Sequence, residues 1–152
     1  MFPMLLRVGP ILGTGRVLGF VNKEGNRNYV TYQESAILID GHRVSAPVKL
    51  ADFKPAPAVA VLAGPNTASA GEAVLIAFRG RPQTRSFGAT TSGLPNSPSF
   101  YHLSDGAAIM FSTSLDVDRR GTVYKEAVPP DVPTRSPVPA AQRWLATTPS
   151  CS

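Results

Sequence analysis

The sequence predicts an α/β fold: a mixed β-sheet with helices packed on it. Three observations carry this expectation. Residues 58–63 are an unbroken apolar run, closed by Gly64-Pro65-Asn66; this reads as a short buried strand ended by a tight turn. Residues 69–79 place Ala70, Ala73, Val74, Ala77 and Phe78 at i, i+3, i+4 spacing, the stripe of a helix lying on a core. Short β-type segments lie on both sides of this unit, and 15 prolines and 13 glycines supply their turns.

Taken in order, residues 2–12 form the first expected helix. Its apolar run is short, lacks a basic leading segment and carries Arg7 and two prolines, which argues against a signal peptide; it is also too short to span a bilayer. Strands are expected near 17–21, 28–33, 36–39 and 42–45. Turns at Asn22–Asn26 and Asp40-Gly41 join them, Asp-Gly between apolar runs being a strong hairpin signal. These strands form a β-meander over 17–45, inserted before the core. Pro47 to Pro57 is a connector. The strand at 58–63, apolar throughout, is expected to be buried on both faces. After the helix come strands near 84–87, 99–102, 107–114 and 121–124, with a hairpin-like turn at Leu103-Ser104-Asp105-Gly106. Residues 129–139 are extended. A short helix over 139–147 docks Trp144 and Leu145, and the last residues fray.

Composition narrows the function classes. The 152 residues are 43% hydrophobic and 16% charged, with a net charge of +5, enough for one domain with a core. The arginines are scattered; only Arg79, Arg81 and Arg85 cluster, at a helix end that suits cations, and a solvated basic surface with no nucleic-acid partner is the reading. Cys151 is the single cysteine, so no internal disulfide forms. One cysteine and two histidines give no zinc spacing, and no glycine-rich nucleotide loop is present, so neither a metal nor a cofactor is expected.

The chemistry-bearing stretch is Val61-Leu62-Ala63-Gly64-Pro65-Asn66-Thr67-Ala68-Ser69-Ala70-Gly71-Glu72. Strand, turn and helix in that order put the Ser69 hydroxyl at a helix start beyond a strand end. A nucleophilic serine needs such a place, exposed and close to backbone N–H groups that can bind an oxyanion. Ser69-Ala70-Gly71-Glu72 also fits Ser-x-x-Glu, a helix capping box, and by local sequence alone a cap is the simpler reading.

Four segments together favour the first reading: Thr67-Ala68-Ser69-Ala70-Gly71-Glu72; Gly88-Ala89-Thr90-Thr91-Ser92-Gly93; Leu103-Ser104-Asp105-Gly106; and Glu126-Ala127-Val128-Pro129-Pro130-Asp131. In this order they resemble the C-terminal-processing (tail-specific) serine protease family, across roughly residues 1–135. The resemblance implies a ClpP/crotonase-like core of mixed β-sheet and helices, with residues 136–152 as a C-terminal extension. One branch of that family uses a Ser–Lys dyad, but Leu94 follows Gly93 here and no lysine lies between Ser69 and Lys125. The chain is more similar to the branch that includes the tricorn core and the interphotoreceptor retinoid-binding proteins. By that resemblance Ser69 is the nucleophile, the Ala70 N–H serves the oxyanion hole, and Glu126 is the supporting glutamate.

The base is the gap in this set. His42 lies beside a hairpin tip, and His102 lies on an expected strand outside every family motif. The family's histidine comes from further upstream, so the chain reads as the C-terminal part of a protease domain truncated at its N-terminus. The resemblance implies a serine-type peptidase acting on a peptide or protein, with homo-oligomerisation open and a compartment left open by this chain, though a longer parent acting outside the cytoplasm fits. The competing reading is a non-catalytic binding module or inactive fragment on the same fold.

Overall fold

A computed structural model of the chain describes residues 1–48 and 56–148. Helix α1 covers Phe2–Leu12 and buries Leu5, Leu6, Gly9 and Leu12, the i, i+4, i+7 face of an amphipathic helix. Pro3 sits in the first turn, where a missing N–H removes no helical bond. Gly9 is required by contact: a Cβ there would overlap the ring of Tyr32.

Strands β1 (Gly15–Asn22), β2 (Arg27–Gln33), β3 (Ala36–Ile39) and β4 (His42–Arg43) run as the expected meander. Asp40 and Gly41, at φ +47° and +83°, make the β3–β4 turn, since two positive φ angles match the twist of a two-residue hairpin. The Asp40 carboxylate accepts the Tyr29 N–H at 2.8 Å and the Asn28 amide at 2.5 Å. The meander does not stand apart. β1 pairs antiparallel with β8 (Ala108–Asp118), which pairs with β7 (Asn96–His102), giving one six-stranded sheet in the order β4-β3-β2-β1-β8-β7. Bonded on both sides, β1 carries the fully buried Val17 and Leu18.

The remaining strands form a parallel sheet, β5 (Val59–Ala63), β6 (Thr84–Gly88) and β9 (Val132–Pro133), in the order β5-β6-β9. Helix α2 (Ala70–Phe78) crosses from β5 to β6 and packs on α1, β1 and β8. Helix α3 (Pro137–Ala146) packs on β5 and β6, with Trp144 against Phe87 at 5.8 Å between ring centres.

Several expectations are corrected. β5 is not buried on both faces: Leu62 is 48% exposed, and β5 is an outer strand of its sheet. The fourth strand stops at Arg43, and 121–124 reduces to one bridge between Val117 and Val123. Arg81 is not solvated: it is 7% exposed and donates to the carbonyls of Ile11, Pro57 and Pro82 and to the Thr84 hydroxyl, so its guanidinium ties α1 to the start of β5. The connector falls partly, and Cys151 wholly, outside the described residues.

Candidate active site

β5 and β6 are parallel, so their carboxyl ends lie at one edge of the sheet, where open α/β folds place their sites. The approach is close there. Gly88, at φ +128°, lies where a Cβ would overlap the Ala63 carbonyl oxygen. The loop after β5 is pinned through Thr67: its N–H donates to the Gly64 carbonyl at 2.8 Å, its hydroxyl accepts the Gly64 N–H at 3.1 Å, and its carbonyl accepts the Ser92 N–H at 2.9 Å.

Ser69 follows as the N-cap of α2, with φ +48° and ψ −113°. A side chain at that φ is strained, and such strain concentrates at sites where surrounding structure fixes the backbone. Ser69 is exposed, as a nucleophile must be. Ala70 is the first residue of α2, and its N–H is among the amides that a helix start leaves without a helical acceptor.

Glu72 organises the surroundings, and it is fully buried. Its Oε2 accepts the Ser69 N–H at 2.9 Å and the Leu94 N–H at 2.8 Å. Its Oε1 accepts the Thr91 hydroxyl at 2.5 Å and the Gly93 N–H at 2.9 Å. A carboxylate so far from water is tolerable only with such donors. Thr91 extends the network: its Oγ1 accepts the Val128 N–H at 2.8 Å, and its N–H donates to the Val128 carbonyl at 3.2 Å. The spacing Ser-x-x-Glu pointed to Glu72 as a cap, and a cap it is. The spacing could not show that the same carboxylate also holds the loop after β6.

Beyond Glu72 lies Asp116, 1% exposed, with an Oδ2 that has no hydrogen-bond partner. Burial, and then the neighbouring Glu72 carboxylate, push the Asp116 carboxyl up to about 7.

Glu126 is exposed and lies two residues before Val128; the Ala127 backbone borders Gly93. Its stretch of chain therefore runs beside the loop that Glu72 holds. The Pro-Asp pair that follows it is structural. Asp131 accepts the N–H and hydroxyl of Ser86 at 2.7 and 2.8 Å and pairs with Arg79. Burial opposes its ionisation, but Ser86 and Arg79 hold its carboxyl below the ordinary value. His42 and His102 are both exposed, on β4 and at the end of β7, and no side-chain hydrogen bond ties either to Ser69, Glu72 or Thr91. Among the described residues no group of three His, Cys, Asp or Glu side chains could hold a metal ion, and no helix is long and apolar enough to cross a membrane.

Comparison with known proteins places this geometry. The profile of peptidase family S41 matches residues 5–134. A nisin-resistance protein of Lactococcus lactis subsp. lactis is 29% identical over 147 residues, 94% of this chain and 45% of that protein. A lipoprotein from Streptococcus agalactiae superposes with a TM-score of 0.78 at 27% identity, over 96% of this chain and 50% of its own. The photosystem II D1 C-terminal processing protease shares the fold, with a TM-score of 0.65 at 21% identity over 99% of this chain and 36% of its own. The chain thus spans about half the length of the relatives it matches.

Proposed function

Because the chain belongs to peptidase family S41, we propose that it carries the nucleophile-bearing part of a serine-type peptidase acting on a peptide or protein. The observation that carries this reading is Ser69: an exposed serine held at φ +48° at the N-cap of α2, beyond the carboxyl end of β5. A helix cap alone does not need a strained backbone, whereas a nucleophile elbow is built on one.

In this mechanism the Ser69 Oγ attacks the scissile carbonyl carbon and gives its proton to a base. The carbonyl oxygen becomes an oxyanion, which accepts a hydrogen bond from the Ala70 N–H. The tetrahedral adduct collapses, the C–N bond breaks, and the amine leaves with the proton from the base. Water then hydrolyses the acyl-enzyme by the same steps. The base is a histidine rather than a lysine, since Leu94 follows Gly93 and no lysine lies between Ser69 and Lys125. It comes from the part of the relatives' length that this chain does not span, and Glu126 orients it.

The competing reading, a binding module with an idle serine, is separated by fluorophosphonate labelling. The expected result is slow, single-site phosphonylation of Ser69 in the 152-residue chain, none in Ser69→Ala, and much faster labelling in a longer version that supplies the base. In that longer version Glu126→Gln slows labelling. If Ser69 stays unmodified even in the longer version, the peptidase reading falls; if Glu126→Gln labels there at the parent rate, only the role of Glu126 falls.

A further inference from the structure

Glu72 does more than a capping residue is asked to do. A capping-box glutamate turns one carboxylate oxygen to the N-cap N–H and leaves the rest of its capacity to water. Here the carboxylate is sealed from water, and its other three acceptor positions serve Thr91, Gly93 and Leu94, on the loop after β6. Ser69 and Leu94 share a single oxygen, Oε2. The nucleophile and the turn that faces it are thus fixed to one atom, and neither can shift without breaking a charge-assisted hydrogen bond.

The strain at Ser69 needs such a fixture. A residue at φ +48° and ψ −113° relaxes to a commoner conformation unless its surroundings forbid it, and relaxation would rotate the Ser69 N–H away from its acceptor. Resting on the assignment of Ser69 as nucleophile, we propose that Glu72 is a positioning residue for the reaction. Its carboxylate holds Ser69 in its reactive backbone conformation and locks the Gly93–Leu94 turn in register with it. Glu72 transfers no proton and touches no substrate; it acts through Ser69.

The chemistry of the donor set defines the test. Glu72→Gln keeps the shape but offers one acceptor oxygen in place of two. The Thr91 hydroxyl can rotate to accept from the new NH2 group, but a backbone N–H cannot. Whichever way the carboxamide turns, at least one of the Ser69, Gly93 and Leu94 amides loses its acceptor.

The experiment follows wild type and Glu72→Gln through two readouts in the full chain. The first is the amide proton shift and hydrogen exchange of Ser69, Gly93 and Leu94 by NMR. The second is the fluorophosphonate labelling rate at Ser69 by mass spectrometry. In a folded Glu72→Gln chain, one or more of the three amides is expected to move upfield and exchange faster. Labelling is expected to slow by about tenfold or more, since small displacements of a reacting group carry costs of that order. A folded variant that labels at the wild-type rate overturns the proposal while leaving Ser69 as nucleophile, as do three unmoved amides. Failure of the wild type to label at Ser69 even in the longer version that supplies the base overturns the nucleophile assignment, and this proposal with it. Should Glu72→Gln not fold, Thr91→Val and Thr91→Ser replace it. The valine variant, lacking the donor to Oε1, is expected to label more slowly and the serine variant to recover; a valine variant at the wild-type rate overturns the proposal.

Discussion

Asp116→Asn is expected to change how stability depends on pH. Asp116 is 1% exposed, and its carboxyl is pushed from 3.8 up to about 7, first by burial and then by the Glu72 carboxylate. The folded state therefore prefers the neutral acid. Below about pH 4 the carboxyl is protonated in both states and costs nothing. Between about 4 and 7 the unfolded chain ionises and the folded chain does not, so stability falls as pH rises. Above 7 both are ionised and the full penalty stands. A rise of about three pKa units at 1.36 kcal/mol each is about 4 kcal/mol. Asparagine has nearly the same shape and never ionises. The stability of Asp116→Asn relative to wild type should thus grow by about 4 kcal/mol between pH 4 and pH 8. Urea unfolding followed by the fluorescence of Trp144, which packs on Phe87, measures it, and subtracting the two pH profiles removes the other titrating groups. Parallel profiles across this range would refute the reasoning and mean that Asp116 reaches water or a partner when it ionises.

Two further outcomes are expected. Ser69→Gly should stabilise the chain by about 1 kcal/mol, because glycine adopts φ +48° without strain, while abolishing phosphonylation; a loss of stability in urea unfolding would show that the N-cap side chain outweighs the strain. The β7–β8 hairpin extends past β1, which pairs with β8 only over 114–118, and it exposes Phe100 (66%) and Met110 (57%) opposite each other. With no lysine or arginine in either strand, such an edge invites association, so Phe100→Thr with Met110→Lys should reduce self-association in sedimentation velocity and shift stability by no more than about 0.5 kcal/mol per site. Unchanged association would place the contact elsewhere.

Much of the fold was legible because it rests on local rules. Helix α2 was legible from its i, i+3, i+4 spacing, although Leu75 and Ile76 outside that stripe are buried and Ala70 and Val74 within it are only half-buried; the Asp40-Gly41 and Asp105-Gly106 turns and the apolar run of β5 were legible too, each set by residues within a few positions of one another. Ser69 was legible for the same reason, as a serine between a strand end and a helix start. Local pattern did not show which strands lie at a sheet edge, so β5 was expected to be buried on both faces and Leu62 is half exposed. It did not show that the meander and the β7–β8 hairpin share one sheet through β1 and β8. Nor did it show where Arg81 points. A guanidinium in a basic cluster looks solvated until the carbonyls of Ile11 and Pro57, far away in sequence, come within reach.

The sequence by itself determined most of the element types and turns, the place of Ser69 between a strand end and a helix start, and the absence of a lysine between Ser69 and Lys125. Tertiary structure alone decided that Glu72 is a buried hub rather than a surface cap, and that Asp116 is forced toward neutrality. The reason is physical. Helix and turn preferences act over three or four residues, whereas desolvation and hydrogen-bond satisfaction depend on what the chain brings from 19 to 22 residues away to Glu72. From Val128 to Thr91 the reach is 37 residues.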